Sequence, residues 1–75
     1  MKEREYQEFG GWQDETGLIT LRCRLDRGVR RVLKIGNAGI VLQHESWKRG
    51  ELLSVQDIEA WPIQGIEQAV SALLA

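Results

Sequence analysis

The sequence predicts an α+β domain: an antiparallel β-meander of three or four strands over about residues 18–43, with a C-terminal helix over about 62–75 packed on one face. Three observations carry this. Apolar and polar residues alternate strictly from residue 18, two glycine-containing turn signals interrupt that alternation, and an apolar stripe at helical spacing follows the only proline.

Residues 1–17 mix charges with Phe9, Gly10-Gly11 and Trp12 and show no clear period. They predict a lead-in, irregular over about residues 1–12 or holding a short strand, and a turn near Asp14 to Gly17. In the first clear strand Ile19, Leu21, Cys23 and Leu25 alternate with Thr20, Arg22, Arg24 and Asp26, the pattern of a strand with one buried face. Asp26-Arg27-Gly28 reads as a three-residue hairpin loop with Gly28 in the left-handed position, which sets Leu25 opposite Val29 and Arg24 opposite Arg30. Gly36-Asn37 reads as a two-residue loop of type II′, setting Ile35 opposite Ala38 and Leu33 opposite Ile40. Both turns place the same residues on the same face. Ile19, Leu21, Cys23, Leu25, Val29, Leu33, Ile35, Ala38, Ile40 and Leu42 share one side with Arg31 as the exception. Thr20, Arg22, Arg24, Arg30, Val32, Lys34, Val41 and Gln43 share the other.

The helix is expected to start at Pro62, whose fixed φ suits a first helical position, and to bury Ile63, Ile66, Val70, Leu73 and Leu74 against the sheet. Between sheet and helix, Ser54 with Asp57 three residues on suggests a short helix, although Leu53 and Val55 also alternate as in a strand.

The chain has 75 residues, 43% of them hydrophobic and 28% charged, which is enough for one small domain spanning 1–75. In so short a chain, ordering cost and apolar burial nearly cancel, so self-association as a homodimer is expected. One cysteine cannot form an internal disulfide, and no apolar run suits a membrane span or a signal peptide, so a cytoplasmic, membrane-free protein is expected. Cys23 lies on the apolar face and reads as a core residue. His44, the only histidine, has no second ligand or nucleophile at a recognisable spacing, and solvent exposure is expected for it. No metal site, cofactor or catalytic residue is predicted, and so small a domain rarely encloses a ligand pocket of about 300 Å³ or more.

The formal net charge of −1 conceals a segregation. Residues 1–21 carry a net −3, residues 22–49 a net +6 and residues 50–75 a net −4. Arg24 opposite Arg30, with Arg22 diagonal and Lys34 further along, crowds like charges on one sheet face and destabilises the isolated domain unless something offsets it. An anionic ligand would, as would a lid of acidic residues from Glu3, Glu5 and Glu8 or from Glu51, Asp57 and Glu59; the other reading is that the arginines are simply solvated. The expected function is therefore non-enzymatic binding, of nucleic acid that is single-stranded or recognised without sequence preference, through Arg22, Arg24, Arg30 and Lys34. Lys48 and Arg49 extend this surface, and Trp47, beside them, or Trp12 offers a stacking platform. Trp61 is expected to pack against the helix. The alternative is a protein-interaction module, a small inhibitor or adaptor using the same polarised surface.

The string GIVLQHESW at Gly39 to Trp47 resembles the strand-to-helix junction of the positive-cofactor-four-like family of single-stranded-DNA-binding proteins. That resemblance spans nine residues and implies a curved antiparallel sheet leading into a helix after Trp47. Ala38, where the family has a basic residue, and Gly50, in a turn where it has no glycine, depart from the pattern.

Overall fold

The computed structural model describes residues 8–26 and 28–75, and their side chains except at positions 8, 9, 24 and 26. Five antiparallel strands lie side by side in chain order: β1 (Glu8–Gln13), β2 (Ile19–Asp26), β3 (Val29–Gly36), β4 (Gly39–Lys48) and β5 (Glu51–Trp61). A 3-10 turn (Ile63–Gly65) and helix α1 (Ile66–Leu74) follow, and the helix packs on one face of the sheet. The α+β class and the sheet-then-helix order match expectation.

The meander has more strands than the three or four expected, because two segments adopt strands that their sequences disguise. Residues 8–12, read as irregular or a short strand, belong to β1, which pairs with β2 from Glu8 opposite Arg24 to Gln13 opposite Ile19. The Gly10-Gly11 pair interrupts any alternation there. Residues 51–61, read in part as a short helix, form β5. Two bulges break its period: Ile58 is the extra residue between the pairs Leu42–Glu59 and Gln43–Asp57, and Leu53 is extra between Ser46–Ser54 and Trp47–Leu52.

The predicted faces survive even where the predicted turns do not. Cys23 lies opposite Arg31, Leu21 opposite Leu33, Ile19 opposite Ile35 and Arg24 opposite Arg30, as expected. At the turn itself Val29 pairs with Asp26 rather than Leu25, and the ladder shifts between Arg24 and Asp26. The second loop is Asn37-Ala38, not Gly36-Asn37, so Ile35 pairs with Ile40 and Leu33 with Leu42. Its positive φ, 147°, falls on Gly39, where an added Cβ would lie 3.0 Å from the Trp61 carbonyl oxygen. Moving that loop by one residue shifts each partner by two, and a shift of two leaves every side chain on its original face.

Cys23, Leu33, Ile40 and Leu42 on the helix-side face are buried together with Ala69 and Leu73 of α1, and Trp61 packs against this cluster. His44, expected to be exposed, is instead half-buried in the middle of β4, opposite Arg31 on this same face. The helix begins later than expected. Pro62 has φ −69° and ψ 166°, an extended conformation that precedes the 3-10 turn rather than opening the helix. It is also rotated: Gly65, Ala69 and Leu73 are buried, whereas Ile63, Ile66 and Leu74 are exposed. Small residues on the facing side let the helix backbone come close to the sheet.

Arg31, the cation in the apolar stripe, meets the helix end. Its Nη1 donates to the carbonyl oxygens of Ala72 and Leu73, both at 3.1 Å. The last turn of a helix leaves carbonyls unpaired and carries partial negative charge, and α1 has no basic residue of its own in that turn. A guanidinium rising from the middle strand therefore supplies both the donors and the positive charge.

Gly28 joins the β2–β3 turn to the far end of β4. Its carbonyl accepts from Trp47 N–H at 2.7 Å, its φ is +74°, and an added Cβ would stand 2.6 Å from the Trp47 carbonyl oxygen. Replacing Arg31 by Met keeps the apolar stem but removes two charge-assisted hydrogen bonds, which is expected to cost about 2 kcal/mol and lower Tm by on the order of 10 °C in thermal denaturation. Arg31→Lys is expected to lie between that variant and the unaltered protein. Gly28→Ala, opposed by both φ and backbone contact, is expected to cost at least as much.

Candidate nucleic-acid interface

The sheet face opposite the helix is built by the second half of each alternation. Trp12, Thr20, Lys34, Val41 and Ala60 form one cross-strand row, and Gly10, Arg22, Val32, Gln43 and Asp57 form the next. In the third row Arg30 stands between Arg24 on β2 and Glu45 on β4, with Val55 beyond on β5. Arg22, Arg24, Arg30 and Lys34 thus share a face, as the alternation predicted. The side chain of Arg24 lies outside the described residues; its backbone position beside Arg30 does not.

Two of these cations sit over aromatic rings. The Arg30 guanidinium lies 4.5 Å from the Trp47 ring centroid, and that of Arg22 lies 5.6 Å from the Trp12 centroid. Both distances fall within cation–π range. Trp47 Nε1 also donates to Glu45 Oε1 at 2.8 Å, so Glu45, Trp47 and Arg30 form one connected group. On β4 a carboxylate thus stands across the ladder from Arg30, and an aromatic ring lies against its guanidinium. No part of β5 lies over the sheet as an acidic lid, because Glu51, Asp57 and Glu59 belong to its edge strand. The alternative lid of Glu3, Glu5 and Glu8 falls outside the described side chains.

Val32, at 2% exposure, and Thr20 are buried although they lie on the face away from the helix. Val32 has Arg22 and Gln43 as cross-strand neighbours and Arg30 and Lys34 two residues away along its own strand. Long stems of such residues cover apolar surface while their charged heads reach water. Gln43 donates from Nε2 to Asp57 Oδ1 at 2.8 Å, and its Oε1 is buried without a hydrogen-bond partner.

Trp12 is 52% exposed, the largest aromatic surface on this face. The Asp14–Leu18 turn fixes the strand that carries it. Asp14 Oδ1 accepts from Thr16 Oγ1 at 2.7 Å, Thr16 N–H at 2.9 Å and Leu18 N–H at 3.1 Å. The Thr16 hydroxyl foremost, then these backbone donors, hold the Asp14 carboxyl below its ordinary range.

Two predicted members do not join the site. Lys48 alternates to the opposite side of β4 from Trp47, and Arg49 occupies the β4–β5 turn with φ 53°, followed by Gly50 with φ 79°. Positive φ at both central residues makes this a type I′ hairpin turn. It also overturns the family resemblance at residues 39–47: the chain passes from Trp47 into a hairpin, where that family passes into a helix. What sequence reasoning missed is Glu45 and the contacts of β4 and β1. Gln43 and Trp12 were both anticipated, but the Gln43–Asp57 hydrogen bond needs β5, and the pairing of Trp12 with Arg22 needs residues 8–13 to form a strand.

No family model, curated protein or solved structure matches the chain. Among the described residues, no helix is long and apolar enough to cross a membrane.

Because the folded-state pKa of Asp14 is depressed, its contribution to stability is expected to be present above about pH 4, the unfolded value, and lost as pH falls through the lower folded value. Thermal melts between about pH 5 and pH 2 are expected to show less acid dependence for Asp14→Asn than for the unaltered protein. Equal acid dependence in the two would count against these hydrogen bonds.

Proposed function

We propose that this chain binds single-stranded nucleic acid on the helix-free face of its sheet. The observation that supports this reading is the sharing of that face by Arg22, Arg30 and Lys34 with two tryptophans. Guanidinium and ammonium groups meet phosphates, and an exposed indole offers a π-face on which any base can stack. Half-exposed Trp12 beside Arg22 is the stacking position nearest to open solvent. Trp47 contributes in a different way, holding Arg30 in place on the sheet. A flat sheet face with stacking aromatics suits unpaired bases better than a duplex, whose bases are stacked on each other and whose grooves accept a helix or ribbon.

Fluorescence anisotropy of a labelled single strand, with a duplex control, tests this at about 50 and 200 mM salt. Micromolar binding is expected, falling about fifty-fold over that salt range if four phosphates are neutralised, with weaker binding to the duplex. Trp12→Ala is expected to weaken binding about tenfold while leaving the salt slope unchanged, as loss of stacking should. Arg22→Ala combined with Lys34→Ala should flatten the slope by nearly two phosphate contacts. No binding at low salt, or equal binding by all variants, overturns the proposal and leaves a protein partner as the reading of the face.

A further inference from the structure

We infer that β5 is a self-association edge, along which two copies of the chain pair their β5 strands antiparallel about a two-fold axis through Gln56. This inference is independent of the nucleic-acid reading, since β5 lies at the opposite edge of the sheet from Trp12. Among the described residues β5 has β4 on one side and no strand on the other, and every residue from Glu51 to Ala60 is exposed. An unpaired edge of this length is a template for another strand, and monomers blunt such edges with charges, lysine above all, with proline or with bulges. β5 has no lysine or proline; it has two bulges and three carboxylates, Glu51, Asp57 and Glu59, so only a register that keeps those carboxylates apart can pair. It carries Leu52, Leu53, Val55 and Ile58, each more than two-fifths exposed, with Leu53 at 60%.

One register of β5 against its own copy sets each of its three carboxylates opposite an apolar residue. Directly opposed residues of two antiparallel strands must share a face, so a dyad has to pass through a residue. With the axis at Gln56, Val55 meets Asp57 of the other copy, Leu52 meets Ala60, Leu53 meets Glu59 and Glu51 meets Trp61. No carboxylate lies directly opposite another. An axis one residue earlier would oppose Glu51 to Glu59, and an axis one residue later would oppose Asp57 to itself; both set like charges together.

The bulges fit the same register. One lies in Leu52–Val55 and the other in Asp57–Ala60, and the dyad at Gln56 lays these two segments against each other. Each carries one extra residue, so face alternation resumes in step on both sides. Eleven residues of strand extend for about 36 Å, long enough for a continuous backbone ladder between two copies. The occupant is thus a second copy of this chain, joined into one continuous ten-stranded sheet.

Sedimentation velocity of the full chain over about 1–100 µM tests association, and substitutions at Leu53 test the register. Leu53 has no partner residue on β4, so changing it leaves the β4–β5 ladder intact. The unaltered protein is expected to dimerise. Leu53→Glu, which opposes Glu59 of the other copy twice per dimer, is expected to raise the dimer Kd about tenfold. Leu53→Lys should not weaken it, and Glu59→Lys in the Leu53→Glu background should restore it. Under mild oxidation Gln56→Cys is expected to form a covalent dimer, whereas Ser54→Cys, displaced from its own copy by four residues, should not. A monomer throughout the concentration range overturns the inference. So does an equal response to Leu53→Glu and Leu53→Lys, or cross-linking by Ser54→Cys as readily as by Gln56→Cys.

Discussion

The contact between Arg31 and the end of α1 holds the two layers of this domain in register. A nine-residue helix with few buried side chains is marginal by itself, and its stability comes from the surface it covers. Arg31 rises from the third of five strands, among the residues that line the core, and donates to the last-turn carbonyls of Ala72 and Leu73. One side chain thus locates the helix along the sheet, satisfies acceptors that the chain would otherwise leave unpaired, and places positive charge at the negative end of the dipole. Arg31 is only half-buried, so its head group keeps part of its hydration, and the fixed pair of carbonyls offsets the desolvation that remains. With the helix seated there, Leu73 and Ala69 complete a core that the sheet alone would expose.

How much of this could be read from the residues depends on which feature each inference used. Face membership was legible, because alternation of period two survives any register shift of two, and the misplaced Gly36-Asn37 loop produced such a shift. The exception in the stripe, Arg31, was legible as an anomaly, but its partner is more than forty residues away along the chain and belongs to a backbone, not a side chain. β5 was hidden by its two bulges, which turn an alternating strand into a string compatible with helix, and by a type I′ turn made of Arg49-Gly50 instead of the usual asparagine or aspartate before glycine. The helix face was misread for a different reason. Spacing selects the most apolar stripe, whereas the sheet selected the stripe of smallest residues, Gly65 and Ala69, which permits the closest approach.

The candidate site follows the same division. Arg22, Arg24, Arg30 and Lys34 were placed together by alternation alone. Lys48 and Arg49 were grouped with them by sequence neighbourhood, which the hairpin after Trp47 undoes. Trp47 reaches the face, but its ring carries Arg30 and its N–H holds Glu45, so its contribution is to position a cation. The groups beside Arg30 thus come from the adjacent strand. An acidic residue one strand over was invisible without the β3–β4 register, and Trp12 was invisible as a partner of Arg22 without β1.

A meander whose spatial order equals its sequence order turns charge segregation along the chain into a gradient across the sheet. The basic middle of the sequence becomes the basic strands β2 and β3, and the cation-free stretch after Gly50 becomes the acidic edge β5. Such a gradient would separate the two proposed roles, nucleic-acid binding and self-pairing, which would conflict on one surface. An edge that carries carboxylates beside leucine, valine and isoleucine repels nucleic acid but can meet its own copy wherever each carboxylate falls opposite an apolar residue. Pairing at that edge keeps the helix-free faces of both copies on one side of the joined sheet, with the two β3 strands five strand spacings, about 24 Å, apart. The acidic strands then lie between two basic patches. A strand of nucleic acid long enough to engage both must cross that repulsive seam, so the arrangement favours two short bound segments over one continuous track.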